Sequence, residues 1–145
     1  MWTDGNLYSE GGHGDIGYDT DGNEVYVQFI GGVGVYSFSL DNPTELGKEL
    51  LGSPYGGGHI SCRNSKRPGW CYITANNDSN GNGLRSVFAL KIDGTGDENV
   101  QNFSQTHIDT NYHDTYGSPT PDGTKVIFNS HWGTGSIGSF VVEAE

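Results

Sequence analysis

Short apolar runs of four to six residues alternate along this chain with breaks rich in Gly, Asp, Pro and Asn. Within the runs, β-branched and aromatic residues dominate, the composition of strands rather than helices. The pattern recurs three times. Asp21-Gly22-Asn23-Glu24-Val25-Tyr26-Val27 reappears as Arg67-Pro68-Gly69-Trp70-Cys71-Tyr72-Ile73 and as Asp122-Gly123-Thr124-Lys125-Val126-Ile127-Phe128, at spacings of 46 and then 55 residues. A second run follows each copy: Tyr36 to Asp41, Phe88 to Asp93, and Gly138 to Glu143.

Aligning the copies predicts the same elements in each. First strands fall at 13–18, 59–64 and 114–118, second strands at 24–29, 70–75 and 124–129, and third strands at 35–40, 87–92 and 137–142. Fourth strands are expected at 46–51 and 99–104, and the third copy stops before its own. Asp21-Gly22, Pro68-Gly69 and Asp122-Gly123 supply hairpin chemistry, because Gly accepts positive φ and Pro presets φ near −65°. Glu45 to Leu51 is the one stretch that also reads as a helix. Repeats of this length, made only of short strands and tight turns, are the mark of β-propeller blades. The expected fold is all-β: a propeller fragment of about three four-stranded antiparallel blades at roughly 12–52, 58–105 and 112–145, with 1–11 as the tail of a preceding blade. Roughly four blades are needed to close a ring, so the ring needs further blades or self-association.

Composition narrows the partners. A net charge of −11 disfavours nucleic acid, whose phosphates require Lys and Arg, and no apolar run approaches the ~18 residues that span a membrane. An acidic ligand stays possible where the few cations gather. Cys62 and Cys71 flank the turn around Lys66-Arg67-Pro68 almost symmetrically. Opposite one another in a hairpin they would form a disulfide, the mark of an oxidising compartment; apart, they would be two small buried hydrophobes.

The segment Ser118-Pro119-Thr120-Pro121-Asp122-Gly123-Thr124-Lys125-Val126-Ile127-Phe128 resembles the repeat of WD-like propellers of the Tol-system periplasmic type. With His59 to Asn64, Arg67 to Trp70 and Phe88 to Gly94, the wider pattern looks like a bacterial group of such propellers, across residues 13–143. Polysaccharide lyases acting on ulvan and oligogalacturonides share the architecture, which is an analogy of fold. The resemblance implies an extracellular or periplasmic protein. It also implies either a carbohydrate-active propeller or a non-catalytic interaction scaffold.

Chemistry is expected on the first strands, which are innermost in a propeller. His13 and His59 share one repeat position, and His113 stands beside it in the third copy. His131 and Trp132, in the loop after the third copy's second strand, are expected on the same rim. Imidazoles there would take a proton or bind a metal near neutral pH; singly, each would be a histidine bonded to backbone. Arg63 lies four residues after His59 and shares its face only if the strand is regular. His, Arg and Tyr together are what elimination on a uronate requires: Arg holds the carboxylate, a His or Tyr removes the adjacent C–H proton, and a Tyr or His protonates the leaving oxygen. Tyr112 and Tyr116 are the tyrosine candidates. Asn64, His131 and Trp132 are candidate binding residues, Trp132 as a sugar-stacking face. Asn64 and Arg63 would otherwise tie blade to blade, and Trp132 would pack at a blade edge. Asp78, Asn80 and Asn82, with Gly83 after them, match the start of a loop for calcium or another divalent metal. Ala89 stands where an EF-hand has its bidentate Glu, so this is a short oxygen-rich loop or simply a solvated one.

Overall fold

The computed structural model describes residues 13–30, 33–42, 44–52, 55–78, 85–94, 99–107, 115–132 and 135–144, with backbone alone at 55–57 and 76–78. These residues form three antiparallel sheets and no α-helix. Sheet 1 runs β1 (Gly14–Tyr18), β2 (Glu24–Ile30), β3 (Gly34–Ser39) and β4 (Lys48–Gly52). Sheet 2 runs β5 (Tyr55–Ser61), β6 (Trp70–Asp78), β7 (Ser86–Lys91) and β8 (Val100–Gln105). Sheet 3 has three strands, β9 (Ser118–Pro119), β10 (Lys125–Ser130) and β11 (Gly138–Glu143). In every sheet neighbours in sequence are neighbours in space. The stretch Glu45 to Leu51, the one candidate helix, enters β4 at Lys48. β5 starts earlier than expected and ends at Ser61, so Arg63 and Asn64 lie beyond the strand.

Alternation of side chains fixes how the sheets meet. Val25, Val27, Phe29 and Val35 of sheet 1 share one core cluster with Cys71, Ile73, Phe88 and Leu90 of sheet 2. The opposite face of sheet 2, with Tyr72, Val87 and Ala89, forms a second cluster with Val126 and Phe128 of sheet 3. Sheet 2 is therefore covered on both faces. This is why Trp70 to Ala75 and Val87 to Leu90 read as almost continuous apolar runs rather than as alternation. Each wholly buried Ile, Leu or Phe contributes about 1.5–3 kcal/mol relative to exposure.

These contacts are head to tail. Each sheet has a leading face, toward the next sheet in sequence, and a trailing face, toward the preceding one. Val25 and Val27 lie on the leading face of sheet 1 and Tyr72 on that of sheet 2. Tyr26, between the two valines, points the other way. The sequence alignment that equates Tyr26 with Tyr72 is thus one residue out of step. The turns explain the slip between the first and third copies. Asp19 N–H closes on the Asn23 carbonyl across three residues, while Thr120 N–H closes on the Lys125 carbonyl across four. A one-residue change in a turn moves the whole following strand to the other face.

Polar ties join the sheets where the apolar clusters end. Cys62 N–H donates to the Asp15 carboxylate at 2.9 Å. The Thr20 hydroxyl donates to Asp93. The Tyr72 hydroxyl donates to the Gly123 carbonyl at 2.6 Å while accepting from the Arg67 guanidinium at 2.7 Å. Arg67 also donates to the Gln101 side chain and lies over the Trp70 ring. Burial pushes the Tyr72 phenol above its ordinary pKa, against the pull of Arg67. Cys62 and Cys71 form the pair next to Ser61–Tyr72, with Cα atoms 4.4 Å apart and a disulfide between them. Closing so short a loop stabilises by about 2–3 kcal/mol in the chain-entropy account.

Two turns are held by carboxylates. Burial works against the charge on Asp19, but hydrogen bonds from the Asn23 side chain and from the N–H groups of Asn23 and Asp21 outweigh it and lower its pKa. The Thr120 hydroxyl, then the N–H and hydroxyl of Thr124, hold Asp122 down to about 2.

Two predictions follow from these turns. Gly22 and Gly123 both have positive φ, 86° and 72°. A Cβ at Gly22 meets nothing within 4 Å, whereas at Gly123 it runs into the Tyr72 hydroxyl and the Arg67 side chain. Gly22→Ala should cost about 1 kcal/mol for the backbone alone. Gly123→Ala should cost a further ~1–3 kcal/mol, because the buried Tyr72 bond is lost as well. Urea unfolding of the two variants measures the difference, and equal losses would show that Tyr72 adapts. The second prediction concerns pH. A folded pKa below the unfolded one stabilises above the unfolded value, and that contribution disappears as pH falls through the folded pKa. For Asp122 the window runs from the ordinary 3.8 down to about 2. Asp122→Asn should therefore melt below the parent at pH 6, and the two melting temperatures should converge as pH approaches 2.

Candidate functional site

Three rings from three sheets meet at the first-strand edge. His13 stands immediately before β1, where its carbonyl accepts the Phe29 N–H at 3.0 Å. His59 lies within β5, opposite Thr74. Tyr116 precedes β9 and is anchored by its neighbour Gly117, whose N–H donates to the Thr74 hydroxyl at 3.2 Å. The His13 and His59 ring centroids are 4.5 Å apart, edge to face. Those of His59 and Tyr116 are 3.9 Å apart with a 38° tilt. His13 and Tyr116 are exposed and His59 half-buried between them, so one side of the row faces solvent. Asp15 stands beside it on β1, its carboxylate spent on the N–H groups of Cys62 and Ile16.

The structure brings some of the sequence-derived candidates together and separates others. His13, His59 and Tyr116 converge. Tyr112, His113, Asn80 and Asn82 lie outside the described residues, and Asp78 ends β6 with only its backbone described. No group of three or more His, Cys, Asp or Glu suited to a metal ion occurs among the described residues. The condition for placing Arg63 beside His59 is not met. The strand stops at Ser61, and at ~3.3 Å per residue four residues separate the two Cα atoms by up to ~13 Å. Arg63 is exposed there. Asn64 is buried, and its amide donates to the carbonyls of Arg67 at 2.5 Å and Trp70 at 2.9 Å. It holds the turn beyond the disulfide within its own hairpin, and these bonds do not tie one blade to the next.

Trp132 belongs to a second aromatic group. Its ring stacks on Phe140 at 5.0 Å and meets His107 at 4.1 Å. His107 and Trp132 both have positive φ, 50° and 47°. Such backbone is uncommon for any residue with a side chain and a genuine outlier for one as bulky as Trp. Ser130 holds it: its hydroxyl donates to the Thr106 carbonyl and accepts the Trp132 N–H at 2.9 Å. His131, next in the chain, is buried. Sequence reasoning passed over His107 because it falls between repeats, after β8, where no copy offers a counterpart. Only the tertiary approach of the β8 end to the β10 end pairs it with Trp132.

A cleft of ≈ 400 Å³ opens at the other end of β1 from His13, lined by Asp19, Asp41, Glu45, Lys48 and Asp93 among others. Three of its carboxylates are engaged locally: Asp19 in its own turn, Asp93 with Thr20 and Glu45 with Asn42. Among the described residues no helix is long and apolar enough to cross a membrane. The chain matches no family model, no curated protein and no solved structure.

Proposed function

We propose that the three sheets are consecutive blades of a β-propeller with first strands innermost, secreted or periplasmic, and that His13, His59 and Tyr116 mark a carbohydrate site at the edge those strands form. Head-to-tail packing of successive antiparallel meanders, two of four strands and one of three, supports the propeller reading, as does the resemblance of the Ser118–Phe128 repeat to Tol-type propellers. The Cys62–Cys71 disulfide supports an oxidising compartment. The observation that carries the site is the contact of His13, His59 and Tyr116 across three sheets.

The chemistry this set suits is β-elimination on an acidic polysaccharide. The substrate carboxylate acidifies the neighbouring C–H. His59 takes that proton, the C–H electron pair becomes a C=C bond, the bond to the glycosidic oxygen breaks, and the Tyr116 phenol protonates the departing oxygen. A half-buried imidazole in van der Waals contact with a phenol brings base and acid within one sugar ring of each other. Against a net charge of −11 an anionic sugar requires local cations. The exposed Arg63 is the candidate, reaching a neighbouring sugar along the polymer rather than the ring at His59. Trp132 and His107 offer a second stacking face. Asn64, whose amide N–H groups are given to turn carbonyls, is left out of this site; the second reading is a non-catalytic interaction scaffold.

The test is incubation of the protein with polyuronates, reading binding by affinity electrophoresis and turnover by absorbance of the unsaturated product. His59→Ala should lower turnover by about 100-fold or more and leave binding within a few-fold of the parent. Tyr116→Phe should act likewise. Arg63→Lys keeps the charge and loses the planar fork, so binding should weaken by about tenfold. A parent protein that neither binds nor cleaves any polyuronate overturns the carbohydrate reading. Binding without cleavage, unchanged in His59→Ala, leaves a non-catalytic binder.

A further inference from the structure

Independently of the carbohydrate reading, the two outermost sheet faces are the two halves of a contact the chain already makes twice. On the leading face of sheet 3, Ile127 and Val141 are directly paired across β10 and β11 and are 49% and 64% exposed. The matching residue on the leading face of sheet 2, Tyr72, is 1% exposed beneath sheet 3. On the trailing face of sheet 1, Ile16 and Tyr18 are 57% and 50% exposed. Ile60, on the trailing face of the first strand of sheet 2, is 8% exposed beneath sheet 1. The apolar character of these positions is kept while their cover is lost. Each outer face thus presents two neighbouring exposed apolar side chains. The Lys125–Glu143 ion pair at 3.1 Å borders the leading patch, the polar rim such surfaces carry.

We propose that this chain associates head to tail with a second copy of itself. The leading face of sheet 3 in one copy seats on the trailing face of sheet 1 in the next, continuing the sheet 1–sheet 2 and sheet 2–sheet 3 contacts. The occupant follows from polarity. Among the described residues leading-on-trailing is the one way sheets pair, and each outer face presents the half that the other lacks. The contact is therefore heterologous, able to repeat into a ring or a longer stack, rather than a two-fold pairing of like faces.

Sedimentation velocity and a complementation experiment test this. The parent should sediment as multiples of the chain mass that dissociate on dilution. Val141→Arg blocks the leading face and Ile16→Arg the trailing face, both at exposed positions. Each variant alone should be monomeric, with circular dichroism unchanged. Mixed in equal amounts they should give a dimer and nothing larger, because one intact leading face and one intact trailing face remain between them. Ile127→Lys and Tyr18→Lys provide a second pair if either first variant fails to fold. A parent that stays monomeric at high concentration overturns the proposal. So does a single variant that still dimerises, which shows like faces pairing, or a mixture that remains monomeric.

Discussion

Alternate side chains of β6 and β7 go to different neighbours: Cys71, Ile73, Phe88 and Leu90 to sheet 1, and Tyr72, Val87 and Ala89 to sheet 3. A sheet that is apolar on both faces has no stable solvated form, so its neighbours must cover it from both sides. That demand sets the separation of the three sheets and the polarity of their packing. It also places the polar ties. The Asp15–Cys62 and Tyr72–Gly123 bonds lie between sheets, where they give direction to an apolar contact that by itself has none.

The candidate site depends on the same arrangement. His59 belongs to sheet 2, while His13 leads into sheet 1 and Tyr116 into sheet 3, and no single hairpin could bring them within contact distance. Thr74 contributes from the middle: it pairs with His59 across the strand and accepts the Gly117 N–H, which sets Tyr116 against the imidazole. The site is a property of sheet stacking, and its electrostatics are those of a solvent-facing row rather than a sealed pocket.

The sequence made the strands legible because composition and turn chemistry agreed. Val25 to Phe29, Trp70 to Ala75 and Val126 to Phe128 all fall inside observed strands, and the symmetric flanking of the Lys66–Pro68 turn was enough to propose the Cys62–Cys71 pair. Facing was harder to read. A one-residue difference of hairpin register turns a strand over without altering its apolar character: Tyr26 pairs with Ile16 and Tyr72 with Ser61, so the two look equivalent and face opposite ways. Arg63 was mislaid for a related reason, since the parity rule that set it beside His59 stops where β5 stops. The Trp132–His107 contact left no trace in spacing at all. It arises from two chain ends meeting, each in a backbone conformation that residue type alone argues against.

Because each sheet is held mainly by the sheet beside it, opening can begin at either end of the stack and need not pass through the middle. Sheet 2 loses both its covers only after sheets 1 and 3 have come away. Amide hydrogen exchange would record this as a gradient, fastest in β9 to β11, where only three strands share the load, and slowest in β6 and β7 at the rate set by global unfolding. The disulfide faces sheet 1, against Gly17, and so becomes open to reductant once sheet 1 comes away, whether or not sheet 3 has opened.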